Sequence, residues 1–187
     1  MIGFPHYADA EEAKSIGGML ALWPRSDYAE MLAIDGGEPQ DDLHLTLVYL
    51  GDDVTGSDPG TLGDALQQIS GSYTAIDATI FGHAIFNPDT EDPAGVYLLS
   101  DSPELDQLHD EVLEAAQIGY PDLPPQHVPW CPHVTCSWGS PATVGQYTGP
   151  VVFDRLGLSF AGQTEFFPLL GVGINASRGP LPHWPLR

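Results

Sequence analysis

Two short patterns in the sequence set an imidazole and a hydroxyl two residues apart: His44-Leu45-Thr46 and His133-Val134-Thr135. Each lies in an apolar, β-rich run, LHLTLVYLG for the first and HVTCSWG for the second. Side chains of an extended strand alternate between faces, so His44 and Thr46 share one face while Leu43, Leu45 and Leu47 share the other. The same alternation puts His133 with Thr135, and Val134 with Cys136 behind them. Two such strands brought together would hold two imidazoles around a small pocket. Histidine titrates at roughly pH 6.5, so one neutral ring can accept a proton while the other, protonated, donates one. The neighbouring threonine hydroxyls can donate to non-bridging phosphate oxygens, where the transition state holds its charge. A single His-x-Thr carries little information; two copies, each inside a strand-like run, point to metal-independent phosphodiester cleavage. His44, Thr46, His133 and Thr135 are the expected catalytic residues.

The elements that position these strands can be read from local pattern. GMLALW (Gly18 to Trp23) reads as a buried strand closed by Pro24. Asp27 to Ile34 suits a short helix capped by Ser26 or Asp27 and ended at Gly36-Gly37. Helical spacing of Leu62, Leu66 and Ile69 suggests a second helix over Asp58 to Ser70. Tyr73 to Phe86 fits one long strand or two short ones, and Val96 to Ser100 another. Ser102 as cap and Pro103 at the first position start a third helix, with Leu105, Leu108, Val112 and Leu113 on one side. A proline-rich loop, Tyr120 to Pro132, leads into the second motif. Strands are expected from Val151 to Phe160 and from Thr164 to Val172. Helices thus fall between strands in both halves, and His-x-Thr occurs once in each. That order predicts an α+β protein of two pseudo-symmetric lobes, each with an antiparallel sheet and helices, facing a central cleft. One domain is expected over residues 1–187, with its core at about 16–172 and a proline-rich tail at 173–187 that lies on the surface or frays.

Composition narrows the function. The chain has 26 acidic residues against five basic ones, a net charge of −21. Proteins that grip long nucleic acid use a basic stripe to replace counterions along the phosphates, and five cations cannot build one. A phosphate-bearing partner should be a small nucleotide or oligonucleotide rather than a long duplex. No run approaches the roughly 18–20 apolar residues of a membrane span, and no signal peptide is readable, so a cytoplasmic protein is expected. Cys131 and Cys136 flank the second histidine at a spacing that suits neither a zinc site nor a disulfide, so free thiols packed near a core are expected. His83, His109 and His127 show no metal-binding spacing; no metal site and no cofactor is expected. His109, in a helix beside Asp110 and Glu111, is expected to face solvent. Trp23, Tyr49 and Trp138 are candidates to stack on a base, Arg25 to meet a phosphate, and His127 to line the cleft rim.

HLTLVYLG with its aromatic-Leu-Gly ending, taken together with HVTCSWG about ninety residues later, resembles the 2H phosphoesterase superfamily, which includes the 2′-5′ RNA ligases. The resemblance covers most of residues 16–172, GMLALWP corresponding to the family's first strand. It implies a bilobal fold with both motifs lining a central cleft, and turnover of 2′,3′-cyclic phosphates, 2′-5′ linkages or cyclic nucleotides. By position it assigns His44 and His133 as the acid–base pair and Thr46 and Thr135 as phosphate ligands. Many RNA-processing members carry an arginine shortly after the second motif, where this chain reads Cys136-Ser137-Trp138-Gly139. With the acidic composition, this shifts the expected substrate from RNA ends to a small cyclic or 2′-linked nucleotide. The small, acidic chain also resembles members encoded by bacterial viruses, for which the host cytoplasm would be the site and a cyclic-oligonucleotide immune signal the target. The alternatives are an RNA-end-processing 2′,3′-cyclic phosphodiesterase or 2′-5′ RNA ligase, and a non-catalytic nucleotide-binding module. A monomer is favoured.

Overall fold

The computed structural model describes residues 14–100 and 102–171. The element order is β1 (Gly18–Pro24), α1 (Ser26–Leu32), a single 3-10 turn (Gln40–Asp42), β2 (Leu45–Gly51), α2 (Leu62–Ser70), β3 (Ile76–Phe86), β4 (Ala94–Leu99), α3 (Pro103–Gly119), β5 (His133–Trp138), β6 (Gly149–Phe160) and β7 (Gln163–Pro168). The expected tail at 173–187 lies outside the described residues, as do His6 and His183.

All seven strands join one antiparallel sheet in the order β1-β2-β5-β4-β3-β6-β7, and β6 also pairs with β1, which closes six of them into a ring. The α+β antiparallel architecture is as the sequence suggests. Its two groups of strands are continuous with each other: β6 pairs with β3 through its first half and with β1 along most of its length. The internal repeat is visible in the register. In β1–β2, Ala21 and Leu22 lie across from Thr46 and Leu45; in β4–β5, Val96 and Tyr97 lie across from Thr135 and Val134. A helix connects the paired strands in each case, α1 in the first and α3 in the second.

The core lies between the sheet and helices α2 and α3. Leu62 and Leu66 on one helix, and Leu105, Leu108, Val112 and Ala116 on the other, are buried with Leu45, Leu47, Val134 and Phe153 from the strands. The i, i+3, i+4, i+7 spacing on α3 is what turns a single apolar stripe toward the sheet. Ser102 caps α3 by accepting from the Leu105 N–H, and Pro103 occupies the first turn, as expected. The start of α1 differs: neither Ser26 nor Asp27 caps it, because Arg25 stands at the cap position and Asp27 is held by the Arg25 guanidinium. The second helix begins at Leu62, not Asp58, since the Asp58 carboxylate accepts from Gly60 N–H and holds a turn ahead of it. The last strand ends at Pro168, where the missing N–H stops the ladder.

Candidate active site

Burial follows the strand alternation closely. Leu43, Leu45 and Leu47 are buried on one face of the first motif while His44 and Thr46 are half-buried on the other. Val134 and Cys136 are buried behind the half-buried His133 and Thr135. The motifs meet: β2 pairs with β5 through Leu45 and Val134, the middle residue of each. An antiparallel register about that pair sets His44 across from Thr135 and Thr46 across from His133. Each imidazole thus faces the other motif's hydroxyl, with a pseudo-twofold axis between them.

Both rings are oriented in the same way. His44 Nδ1 lies 2.6 Å from the Asp42 carbonyl and His133 Nδ1 lies 2.8 Å from the Cys131 carbonyl. A carbonyl only accepts, so Nδ1 carries the proton in each and Nε2 is left to do chemistry. An aromatic ring seats each imidazole: Trp23 against His44 at 5.6 Å, and Phe86 against His133 at 4.9 Å between centroids. Burial pushes both histidines below the ordinary imidazole range; the carbonyl bonds oppose this. For His44 the charges of Glu38 and Asp42 also oppose it, while His133 deepens it; for His133 the nearby His127 deepens it. The Thr46 hydroxyl rests on the Met19 sulfur at 3.9 Å, a weak acceptor that a phosphate oxygen can replace. Trp130 donates from Nε1 to the Thr46 carbonyl at 3.3 Å and stacks on His109 at 4.0 Å. His109 is therefore packed against an indole instead of facing solvent, because the loop before β5 folds back over α3.

A cavity of about 1110 Å³ opens on the His44–Thr46 face. Trp23, Tyr49 and Trp138 line it, as do Arg155 and Phe166 from β6 and β7. His133 and Thr135 stand beside it, not in its lining. Trp23 is only 4 % exposed, so it supports His44 and offers no open face to a base, whereas Trp138 is 42 % exposed. The close seat of Trp23 against β6 needs Gly157, where an added Cβ would come within 2.5 Å of the indole. Tyr49 is fixed at its backbone by Gln126, which accepts from its N–H and donates to its carbonyl, both at 2.9 Å. Gly139, at a φ of +82°, turns the chain sharply away after Trp138.

Arg25 is placed elsewhere. It makes a two-pronged ion pair with Asp27 and lies over the Tyr28 ring, outside the cavity lining. Its charge is taken by a neighbour two residues on. His127 is exposed and reaches the site only through its effect on His133. Two cations do line the cavity: Lys14, which is bridged to Glu38 and Asp42, and Arg155, which the sequence reading passed over. A signal existed: it is a lone arginine inside the apolar strand VVFDRLGLSF of a chain with five basic residues. Cys131 and Cys136 are both free; Cys136 is buried as expected, and Cys131 is exposed. Among the described residues no three His, Cys, Asp or Glu side chains are grouped to hold a metal ion, and no helix is long and apolar enough to cross a membrane.

The family model of the 2′-5′ RNA ligase superfamily matches residues 21–156, which span both His-x-Thr strands. The chain belongs to that superfamily. It is a 2H phosphoesterase, an enzyme of phosphodiester hydrolysis or RNA-end processing. Solved structures share the superfamily's fold at low identity. LigT of E. coli, complexed with 3′-AMP, is 20% identical with a TM-score of 0.53, covering 82% of this chain and 95% of its own. TT0787 of Thermus thermophilus is 17% identical with a TM-score of 0.57, covering 83% and 99%. Usb1 of Kluyveromyces marxianus is 12% identical with a TM-score of 0.53, covering 84% and 99%. No curated protein matches the sequence.

Proposed function

We propose that this 2H phosphoesterase hydrolyses small cyclic or 2′-linked oligonucleotides without a metal, through two-histidine acid–base catalysis. The observation that carries the reading is the matched pair of imidazoles on adjoining strands, each held by a carbonyl at Nδ1 so that Nε2 is available. In the proposed step one neutral Nε2 takes a proton from water as the water oxygen bonds to phosphorus. The bond from phosphorus to the leaving ribose oxygen breaks, and the other Nε2, protonated beforehand, gives that oxygen its proton. Thr46 and Thr135 donate to the non-bridging oxygens, where charge accumulates. Proton exchange with solvent returns both rings to their starting states.

Charge supports the small-substrate side of this reading. Glu38, Asp41, Asp42, Asp52 and Asp92 line the cavity, and a polyanion laid across it would meet them all. Among oligonucleotides of that size, a cyclic signal of an antiviral defence is the biological target we favour. The 3′-AMP bound in the E. coli LigT structure is a ligand of comparable class. The test is a panel of cyclic dinucleotides, cyclic trinucleotides, 2′-5′ oligoadenylates, 2′,3′-cyclic mononucleotides and RNA ends, each with and without EDTA. Turnover of the small cyclic or 2′-linked members that survives EDTA and disappears in His44→Ala and His133→Ala is expected. Loss of turnover in EDTA would sink the metal-free mechanism, and a preference for RNA ends would sink the substrate assignment.

A further inference from the structure

Three cations fall among the described residues, and two are already engaged. Lys14 bridges Glu38 at 2.9 Å and Asp42 at 2.8 Å, and Arg25 is held by Asp27. Arg155 makes no ion pair among the described residues, and its Nε is buried without a hydrogen-bond partner. Buried polar donors are almost always satisfied, so an unpaired one inside a cavity needs an explanation.

The surroundings of Arg155 supply one. Its guanidinium lies over the Phe166 ring, 5.1 Å from the centroid; Phe166 meets Trp23 edge-on at 5.0 Å; Trp23 in turn packs on His44 at 5.6 Å. These contacts in series form one wall of the cavity, running from an imidazole to a guanidinium. Phe166 is 45 % exposed, so the wall also presents an apolar surface. Ser159 and Thr164, bonded to each other across β6 and β7 at 3.4 Å, line the same end. A planar fork without an ion-pair partner, stacked on an aromatic ring in a cavity that also carries two hydroxyls, suits a phosphate.

We propose that Arg155 receives a second phosphate, one nucleoside away from the bond being cut, so that the substrate is a dinucleotide or small cyclic oligonucleotide and not a mononucleoside cyclic phosphate. The inference rests on the two-histidine reading for the place of the scissile phosphate. The nucleoside between the two phosphates lies against Phe166, the exposed ring of that wall. The carboxylates lining the rest of the cavity leave no place for a third phosphate, which limits the length of chain that fits.

The test is calorimetric titration of the native protein and Arg155→Met with adenosine 3′,5′-bisphosphate and with 3′-AMP, at one ionic strength. Methionine keeps an apolar stem over Phe166 and removes the fork. The native protein is expected to bind the bisphosphate at least tenfold more tightly than 3′-AMP. In Arg155→Met that preference should fall to within twofold, with 3′-AMP binding unchanged, and Arg155→Lys should restore part of it. Equal binding of the two ligands by the native protein, or a preference that survives in Arg155→Met, overturns the proposal. So does an equal loss for both ligands in Arg155→Met and Arg155→Lys, since that places Arg155 at the scissile phosphate or in the fold. A bisphosphate preference without turnover of any phosphodiester would instead count against the two-histidine reading and leave this subsite standing.

Discussion

Around His44 the chain gathers carboxylates, whereas around His133 it brings another histidine. Glu38 and Asp42 favour the charged form of the first ring; His127 disfavours the charged form of the second. His44 also faces the cavity, while His133 stands beside it against Phe86. Two strands of the same construction, with the same tautomer and the same hydroxyl partner, have thus been given different electrostatic neighbours. The difference teaches how a pseudo-symmetric site can set its two rings apart: burial lowers both, while carboxylates act on His44 and a histidine acts on His133. Which ring gives the proton and which takes it is decided by the order in which they titrate, and their neighbours offer a way to read that order.

The sharpest way to break the comparison is to remove each ring. His44→Ala and His133→Ala should each lower kcat/KM by about a hundred- to ten-thousandfold, and the double variant should lose little more, because the two rings act as one unit. Single losses that multiply in the double variant would show that the rings act independently. Thr46→Val and Thr135→Val come next, with about a hundredfold loss of kcat each if both hydroxyls stabilise the transition state. A loss confined to KM at one of them would make that threonine a ground-state contact.

The charge difference is tested by a pair of subtler changes. Removing the Glu38 carboxylate in Glu38→Gln lowers the pKa of His44, so the limb of the kcat/KM profile that reports His44 should move to lower pH. Removing His127 in His127→Asn raises the pKa of His133, so the limb that reports His133 should move to higher pH. A ring whose variant moves the alkaline limb is the acid and one whose variant moves the acidic limb is the base, while a profile unmoved by either change would show that these neighbours do not act on the rings.

The smallest expected effect is on stability. Both histidines titrate lower in the folded state than the roughly pH 6.5 of a free imidazole, so the unfolded chain binds more protons as pH falls. Their contribution to stability is full above that value and is lost progressively as pH falls below it through the lower folded-state values. Replacing both by asparagine should flatten the dependence of Tm on pH over this window. An unchanged slope would mean that the two rings are not desolvated in solution.

The parts of the site legible in the sequence were those fixed by local periodicity. Strand alternation alone told which face His44, Thr46, His133 and Thr135 share, and the cap at Ser102 located α3. What was not legible depends on contacts made far along the chain. The meeting of Leu45 with Val134 is a register between distant strands, and no local pattern encodes it. Arg25 looked like the useful cation because it follows the first strand, yet Asp27 two residues away takes its charge. Arg155 did leave a signal, a lone arginine in an apolar strand, but nothing local says that its guanidinium lies over Phe166 in the cavity. His109 has acidic neighbours in sequence that suggest solvent, but the Trp130 loop covers it. Local chemistry was readable; which side chain reaches which neighbour was not.

The ring of strands has unequal joints. At the back, β6 is laddered to β1 from Gly18 to Pro24 and to β3 from Ile76 to Ile80; at the front, β2 touches β5 only at Leu45 and Val134. Such a frame is stiff along its spine and compliant at its mouth. A change of angle between the two sides would cost a single rung and alter the distance between His44 and His133. The two histidine strands are thus tied to each other by one rung and to the rest of the ring by full ladders, so the separation of the two imidazoles is set mainly by the spine behind them.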